Sequence, residues 1–335
     1  MQRIAIVCCY FGSLPNYFSL WLKSCAANPT IDWLFFTDQT VENLPENVHL
    51  HHTTLDAVAD LARARTGFST LVLPTPYKLC DYKVMYGEIF QDYLKDYDFW
   101  GYCDFDMLFG DLRKFLPPER LDHFDKIFAM GHLSLYRNTP ECNARYRLPG
   151  GKFSCREVME NPVNYAFDEW RGIYRIYKEN HLPMFDEALF ADLTCNRKRF
   201  SLQKRTSDRY PAPAPDYPHQ LFYWENGHVL RAFLTPEKKI LTDEFAYIHF
   251  FKRRFPTPDR ATEQAEAIFC TPKGFLPKEP GILPTEKEIR QLNPYPGALY
   301  EKIEFKIRRK ILKYRNHRIF AGRKAQSPKR QTGKI

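Results

Sequence analysis

The chain has 335 residues, of which 44% are hydrophobic and 16% aromatic, and this is enough to bury a large core. Its formal net charge of +9 comes from the C-terminal tail, because thirteen Lys or Arg residues and one acid lie between Lys302 and Ile335. The near-neutral body carries no recognisable nucleic-acid-binding motif, and no apolar run approaches the roughly 20 residues of a membrane-spanning helix.

The N-terminus and the cysteines both predict a cytoplasmic protein. Met1–Val7 lacks the apolar region and the small-residue cleavage site of a signal peptide, so we expect it to enter the first strand. The nine cysteines form no C-x-x-C pair, and several, such as Cys8 and Cys103, lie inside apolar runs. A free thiol there behaves as a small hydrophobic group, which favours a reducing compartment over a disulfide framework or a zinc ribbon.

Strands and helices are predicted to alternate through the first third of the chain. Short β-branched and aromatic runs predict strands at 4–9, 32–37, 48–52 and 98–103. Apolar residues at helical spacing predict helices at 17–25, 55–64 and 77–93. This alternation is typical of an α/β fold with a mostly parallel sheet.

The pattern loosens after Asp111. We predict short strands at 127–130 and 133–136, a short helix at 185–193, a hairpin of 222–224 with 229–233, and a last strand at 245–251. Frequent prolines and weak apolar periodicity between 256 and about 296 indicate a wrapping extension rather than a second domain. We therefore expect a catalytic domain over 1–255, a proline-rich extension over 256–300 and a basic tail over 301–335.

The most informative motif is the aromatic run 99–103, which ends in Asp104-Phe105-Asp106. Residues i and i+2 of a strand share a face, so the two carboxylates are expected to converge at the carboxyl end of a sheet strand, where open α/β sheets bind ligands. Two oxygen donors suit Mg²⁺ or Mn²⁺, which is often shared with the phosphates of a substrate. Such acid pairs also occur in solvated turns, but the apolar surroundings favour a site.

His249 and Lys252 form a second element, at the end of a β-patterned apolar run. A histidine in such a run is either a core residue with a backbone partner or a metal ligand, and imidazole is a good ligand for Mn²⁺. The nearby lysine supplies a point charge suited to a phosphate.

Two further groups of charged residues have both a structural and a functional interpretation. Asp186 and Glu187 either favour the positive end of a helix or face a reacting centre. Lys78, Asp81 and Lys83 form either a solvated polar stripe on a helix or contacts to a nucleotide.

The order of these motifs resembles that of GT-A-type glycosyltransferases, especially the bacterial glycogenin-like and galactosyltransferase-like group and the "DXD sugar-binding" transferases. The resemblance extends over about residues 1–255, and the order is also similar to that of an uncharacterised bacterial family associated with surface polysaccharide genes. It implies a GT-A fold, which is a Rossmann-like mixed, mostly parallel sheet with flanking helices, here with a C-terminal extension. It also implies transfer of a sugar from a nucleotide-diphosphate donor, with a UDP-sugar as the expected donor.

The resemblance further implies a role for each motif. Asp104 and Asp106 match the acids that hold Mn²⁺ or Mg²⁺ on the donor diphosphate, and Asp104 also approaches the ribose. His249 matches the histidine that completes the metal shell, and Lys252 the basic residue that faces the phosphates.

Other positions match contacts to the donor and the catalytic carboxylate. Tyr10, Phe11 and Gly12 correspond to the loop beside the base and ribose, and the group of Lys78, Asp81 and Lys83 to nucleotide contacts. Asp186 or Glu187 corresponds to the acid near the donor sugar, acting as base in an inverting route or stabilising an oxocarbenium-like centre in a retaining one. The acceptor is expected to be a cell-surface glycan of the capsule, O-antigen or lipooligosaccharide type, free or lipid-linked.

Some family features differ in this chain, and two other functions stay open. Cys80-Asp81-Tyr82-Lys83 replaces the usual S-D-x-x-R, and Lys252-Arg253-Arg254 replaces the glycogenin-like ending H-x-x-G-x-x-K-P-W. A metal-dependent phosphoesterase with the same acids would need ligands for two metals, which the sequence does not suggest. A non-catalytic, glycosyltransferase-like binding protein is the other alternative.

The tail predicts a basic amphipathic helix over 302–320. Ile303, Ile307 and Ile311 fall on one stripe, with most lysines and arginines elsewhere. Helices of this kind lie on anionic membrane surfaces, so we expect a cytoplasmic protein held at the inner face of the membrane; a solvated, partly disordered tail is the alternative.

Overall fold

The computed structural model describes residues 1–196, 198–203, 214–300, 302–304, 306–307 and 310–311. The strands are β1 Ile4–Tyr10, β2 Ile31–Thr37, β3 Val48–His52, β4 Phe99–Cys103, β5 Met107–Phe109, β6 Lys126–Met130, β7 Leu133–Arg137, β8 Met184–Phe185, β9 Ala191–Asp192, β10 Gln220–Glu225, β11 His228–Leu234, β12 Ile240–Phe245, β13 Tyr247–His249, β14 Ala267–Thr271 and β15 Gly274–Lys278. They form three sheets.

The helices are mostly short. They are α1 Phe18–Ala26, α2 Leu55–Thr66, α3 Leu79–Tyr82, α4 Tyr86–Ile89, α5 Gln91–Leu94, α6 Leu112–Phe115, α7 Pro118–His123, α8 Pro140–Ala144, α9 Cys155–Met159, α10 Ile173–Glu179, α11 Arg260–Gln264 and α12 Glu286–Leu292. Single 3₁₀ turns connect some of them, at Pro76–Lys78, Lys83–Met85 and Arg145–Arg147.

The central sheet has seven strands in the order β3-β2-β1-β4-β7-β6-β8. The β3-β2, β2-β1, β1-β4 and β6-β8 pairs are parallel, and β7 is antiparallel to both of its neighbours. The predicted α/β class with a mostly parallel sheet is thus confirmed. The chain moves outward from β1 to β3 and then returns to the other side of β1, so the strand order reverses between β1 and β4, where α/β sheets open a ligand crevice.

Both faces of this sheet are covered, which explains why its strands are apolar throughout. Ile6 and Cys8 point to one face, where α1 packs, and Ala5 and Val7 point to the other, where α2 and the helical segment 76–94 pack. The first three predicted strands, the strand before the acid pair and the first two helices are confirmed within a few residues.

Two smaller sheets complete the fold. β12-β11-β10-β14-β15 is antiparallel, so the predicted hairpin is confirmed, and the segment after 255 contributes two of its strands. The boundary drawn at 255 therefore crosses a continuous sheet. The third sheet, β5-β13-β9, combines short strands from three distant segments beside the carboxyl end of β4.

The continuous helix predicted over 77–93 is wrong, because this segment is a series of single α and 3₁₀ turns. Residues 81–87 are all buried, so packing acts on every side of the segment and not only on one helical face. At Gly87, a Cβ atom would lie 2.5 Å from Nε1 of Trp100, and this close approach needs glycine, which weakens a helix.

Two other predicted elements near the C-terminal half are also wrong. The helix over 185–193 is replaced by the two-residue strands β8 and β9, which pair with different sheets. The single strand over 245–251 divides at Ala246 into β12 and β13. In both cases short apolar runs are ambiguous, and pairing with distant strands decides the outcome.

The described part of the chain contains no helix that is long and apolar enough to cross a membrane. Residues 302–304, 306–307 and 310–311 are helical, in agreement with the start of the predicted tail helix. The rest of that prediction, to residue 320, lies outside the described residues.

Candidate functional site

The site lies at the carboxyl ends of β1 and β4, where the strand order reverses. β1 leads into Phe11 and Gly12, and β4 leads into Asp104. The backbone N–H of Asp104 donates to the carbonyl of His132 at 2.9 Å, so the turn between β6 and β7 supports the start of the acid pair. A crevice at this position is where open α/β sheets bind their ligands.

Asp104, Asp106 and His249, here called the acid–histidine cluster, converge at this edge. One potential ligand atom from each lies within 4.8 Å of the other two. β13 pairs antiparallel with β5, in the register of His249 with Met107, and this carries the imidazole to the acid pair 143 positions earlier in the chain. His249 Nε2 lies 3.4 Å from Asp106 Oδ1.

Asp106 is held through its backbone and its side chain. Its carbonyl accepts from the N–H of Phe250 at 2.7 Å, and its carboxylate accepts from the N–H of Lys252. Phe251 and Lys252 have φ of 52° and 57°, which is the left-handed region, and this turn aims the Lys252 amide at Asp106. Burial raises the pKa of Asp106, but His249 and the Lys252 amide outweigh it and hold that pKa well below its usual range.

His249 is buried between carboxylates. Nδ1 of His249 lies 2.8 Å from Asp192 Oδ1, and the His249 ring stacks on His132 with centroids 4.4 Å apart. Burial lowers the pKa of His249, but Asp106 and Asp192 more than offset it, so the pKa is raised well above its ordinary value. Asp192 also faces His132, whose Nδ1 lies 2.9 Å from the hydroxyl of Tyr247.

Lys83 connects the cluster to a further carboxylate. Its ammonium donates to Asp104 Oδ1 at 2.6 Å, to the carbonyl of Gly131 at 2.8 Å and to Asp168 Oδ2 at 3.2 Å. Burial lowers the pKa of Lys83, but the two carboxylates outweigh it and raise the pKa well above its ordinary value. Lys83 is therefore charged and neutralises one of the site's acids.

Asp168 and Glu169 approach the same turn from a loop before α10. A Cβ atom at Gly131 would lie 2.6 Å from Asp168 Oδ2 and 3.0 Å from Glu169 Oε1, so this approach needs glycine. Burial is the main reason that the pKa of Asp168 is raised to about 8, despite the nearby Lys83. A carboxyl group with such a pKa exchanges protons near neutral pH, which is typical of functional sites.

Lys78 and Asp81, predicted as nucleotide contacts, instead form a buried structural pair. Lys78 Nζ donates to Asp81 Oδ2 and to the carbonyls of Val158 and Val163, each at 2.7 Å. Asp81 also accepts from the N–H of Phe167 at 2.8 Å. The pair anchors the helical segment to the 158–167 loop, so neither side chain reaches the crevice, and the predicted solvated stripe is wrong as well.

Asp186 and Glu187 follow the edge strand β8 and do not begin a helix. Asp186 Oδ2 pairs with Lys178 at 2.7 Å and accepts from the hydroxyl of Tyr174 at 3.2 Å. These partners belong to α10, and three strands of the central sheet separate β8 from β1. The structure brings neither acid into the acid–histidine cluster.

The first loop, predicted to contact the base and ribose of a nucleotide, lies beside the acid pair. The ring of Tyr10 contacts that of Phe105 with centroids 4.7 Å apart, whereas Phe11 is buried in the core. Gly12 has a φ of 99°, which favours glycine, and its N–H donates to Asp38 Oδ1 at 3.2 Å. Hydrogen bonds from the side-chain amide of Gln39 and from the N–H of Gly12 lower the pKa of Asp38, which lies exposed after the end of β2.

Lys252 extends along the crevice. Its ammonium donates to the hydroxyl of Tyr77 at 2.7 Å and lies 4.5 Å from the centre of that ring. Both side chains are exposed. A cation held at this distance from an aromatic ring remains available to an anionic ligand beside the cluster.

Sequence reasoning missed four residues of this site. They are Asp38, His132, Asp168 and Asp192. Asp38 had a usable signal, because it directly follows a predicted parallel strand. The other three come from a tight turn, a loop and the two-residue strand β9, where no local pattern predicts which carboxylate or imidazole will meet the acid pair.

The donors fit a hard divalent cation. Two carboxylates and one imidazole, with ligand atoms within 4.8 Å of one another, form a set that Mn²⁺ binds and that Mg²⁺ accepts less readily because of the nitrogen. A second group, His132, Asp192 and His249, shares one histidine with the first and is fully buried.

The comparisons with known proteins identify a family without a described activity. No curated protein matches the chain. A family model described as "Family of unknown function (DUF6625)" matches residues 6–279, which is most of the chain. The chain therefore belongs to the DUF6625 family.

Proposed function

We propose that this protein is a metal-dependent glycosyltransferase of the GT-A type, which transfers a sugar from a nucleotide diphosphate to a cell-surface glycan. The observation that carries the proposal is the convergence of Asp104, Asp106 and His249 at the point where the order of the parallel strands reverses. A nucleotide is expected in that crevice, and a cation-binding set at its edge suits the diphosphate of such a ligand.

The residues of the site can each take a part in this reaction. Asp104, Asp106 and His249 would hold Mn²⁺ or Mg²⁺, which would supply positive charge to neutralise the leaving diphosphate. The exposed ammonium of Lys252 adds a second positive charge on the same side. The loop of Tyr10 and Gly12, with Asp38, lines the crevice for the base and ribose.

The carboxylate near the donor sugar fits Asp168 or Glu169 better than Asp186 or Glu187. Asp168 is linked to Asp104 through Lys83, and Glu169 lies against the turn at Gly131. Such an acid can accept the proton of an acceptor hydroxyl in an inverting route or stabilise a cationic sugar in a retaining one.

Calorimetric titration of UDP and GDP, each with and without Mn²⁺, tests the proposal. We expect Mn²⁺-dependent binding of one nucleotide, most strongly of UDP, and a loss of at least about tenfold in affinity in Asp106→Asn, since a metal ligand is removed. Asp96→Asn, an exposed carboxylate before β4, is the matched control and should bind normally.

Two results would contradict the proposal in different ways. If neither nucleotide shows Mn²⁺-dependent binding, the proposal of a metal-dependent donor site is contradicted. Nucleotide binding that is independent of metal favours the non-catalytic binding protein.

We also propose that the basic tail lies on an anionic membrane surface, near a lipid-linked acceptor. Ile303, Ile307 and Ile311 are about half exposed, at 49%, 52% and 50%, and their spacing places them on one helical stripe. Sedimentation with anionic vesicles should capture the full chain, and the variant Ile303→Asp/Ile307→Asp should stay in the supernatant. Equal sedimentation of both chains, or none, would reject this surface.

A further inference from the structure

Asp192 is a buried carboxylate that no sequence motif announced, and its position relative to His249 is set by the backbone. β9 and β13 pair in parallel with Asp192 beside His249. The N–H of Leu193 donates to the carbonyl of His249 at 3.1 Å, and the carbonyl of Asp192 accepts from Gln203 at 2.8 Å. These main-chain bonds therefore fix the positions of both residues relative to each other.

The two ring nitrogens of His249 make different contacts. Nδ1 lies 2.8 Å from Asp192 Oδ1, within the range of a strong N–H···O bond, whereas Nε2 lies 3.4 Å from Asp106 Oδ1, beyond that range. An ionised carboxylate only accepts hydrogen bonds, so Nδ1 must carry a proton. Nε2 is then the nitrogen directed into the acid–histidine cluster.

His132 restricts the same ring from its face. The His132 and His249 rings are stacked with an interplanar angle of 22°, and His132 Nε2 lies 4.0 Å from Asp192 Oδ2. Tyr247 holds His132 through the 2.9 Å contact to Nδ1. Rotation of the His249 ring would therefore break a hydrogen bond and disturb a packed stack.

From this geometry we infer that Asp192 is a positioning residue, which fixes the His249 ring so that Nε2 is the metal-binding nitrogen. The inference deepens the proposed function, on whose metal site it rests. Carboxylates that orient a metal-binding histidine typically contribute 10- to 100-fold to metal affinity. An ion at the second group, of His132, Asp192 and His249, would have to replace the hydrogen bond between Asp192 and His249, so we expect one ion per chain.

Mn²⁺ binding without nucleotide, followed by the electron paramagnetic resonance of free Mn²⁺, tests this role directly. We expect one site in the wild-type chain and about 10- to 100-fold weaker binding in Asp192→Asn, because the amide keeps the shape but loses the charge. Asp243→Asn is the control, since it removes a carboxylate that pairs with Arg231 in the antiparallel sheet. It should bind Mn²⁺ as the wild type does.

A second measurement needs no variant and does not depend on refolding of a mutant. In the full chain loaded with diamagnetic Zn²⁺, which binds imidazole nitrogen readily, nitrogen NMR should find His249 protonated at Nδ1 and not at Nε2. Protonation at Nε2, two Mn²⁺ ions per chain, or equal affinity in wild type and Asp192→Asn would each overturn the inference.

The outcomes separate this inference from the proposed function. If Mn²⁺ binding weakens in Asp192→Asn but no nucleotide binds, the result would support the positioning role of Asp192 and contradict the proposed transferase function. If nucleotide binding depends on Mn²⁺ but the Mn²⁺ affinity is unchanged in Asp192→Asn, the result would support the transferase and overturn the positioning role. Absence of Mn²⁺ binding in the wild type would overturn both.

Discussion

Lys78 and Lys83 lie five residues apart in one helical segment, and both are buried against aspartates. Their environments differ in one respect. Lys78 has a complete set of internal partners, Asp81 and two backbone carbonyls, and Asp81 is entirely buried. Lys83 pairs with Asp104, whose side chain is one-third exposed at the crevice.

The pKa shifts of the two lysines show the consequence. For Lys78, burial prevails over the attraction of Asp81 and lowers the pKa. For Lys83, Asp104 and Asp168 outweigh burial and raise the pKa. A lysine–aspartate pair that has all its partners inside the protein therefore stabilises the fold. Where two carboxylates surround one lysine, negative charge is in excess, and a carboxylate remains available at the surface. This contrast separates a charge pair that stabilises the fold from charges at the candidate site, within a single motif.

Replacing Lys78 breaks the closed pair and is expected to have the largest effect. Lys78→Met leaves the charge of Asp81 buried without its cation, which should lower the free energy of unfolding by about 3–5 kcal/mol. Urea unfolding measures this loss. Mn²⁺ affinity of the folded variant should not change, and a large change would place Lys78 in the site after all. Lys95→Met, at an exposed position near the end of the same segment, is the control.

Replacing Lys83 should cost less stability but alter the site. Asp104 is partly hydrated and Asp168 can take up a proton, so Lys83→Met should lower the free energy of unfolding by only about 1–2 kcal/mol. Removing a positive charge 2.6 Å from Asp104 should also tighten the binding of Mn²⁺ several-fold. Urea unfolding and Mn²⁺ titration of both lysine variants measure these effects in parallel. Equal changes in stability and in Mn²⁺ affinity for the two variants would contradict the contrast between Lys78 and Lys83.

Asp168→Asn should have an effect on stability that depends on pH. The carboxyl group of Asp168 has a pKa of about 8 when folded and about 3.8 when unfolded. Its contribution to stability is present below pH 4 and is lost as the pH rises toward 8, because only the unfolded chain releases the proton. The amide has no proton to lose, so the variant should gain up to about 4 kcal/mol relative to wild type between pH 5 and pH 8, at about 1.4 kcal/mol per pH unit.

Urea unfolding at the two pH values checks this prediction. A difference between wild type and Asp168→Asn that is the same at pH 5 and pH 8 would show that Asp168 is ionised in the folded protein. Asp60→Asn, which changes an exposed carboxylate on α2, should show no such pH dependence.

The sequence predicted most of the first sheet and one half of the site. Strands of the central sheet are apolar runs bounded by polar loops, so local pattern is enough to find β1, β2 and β4. It also identified the acid pair, which follows β4 directly and lies in the turn at the carboxyl end of that strand. It proposed His249 on its residue type and neighbours, and the structure places His249 beside these acids.

Where the sequence pattern failed, packing from several directions replaced packing on one face. The helix predicted over 77–93 assumed a buried face and a solvated face, but residues 81–87 are buried all round. The helix predicted over 185–193 rested on a short apolar run, which the strands of two different sheets divide between them. Apolar residues at helical spacing indicate a helix that is buried on one face, and neither segment forms such a helix.

The sequence by itself determined the α/β class, the order of the central strands along the chain, and the acid pair that ends β4. Only the tertiary structure decided the partners of that pair. His249, Asp192 and Asp168 reach it through strand pairing and loop packing between segments up to about 140 residues apart, and no local pattern encodes such contacts. The chemistry of each side chain is local, but its distance from another side chain is set by the folded backbone.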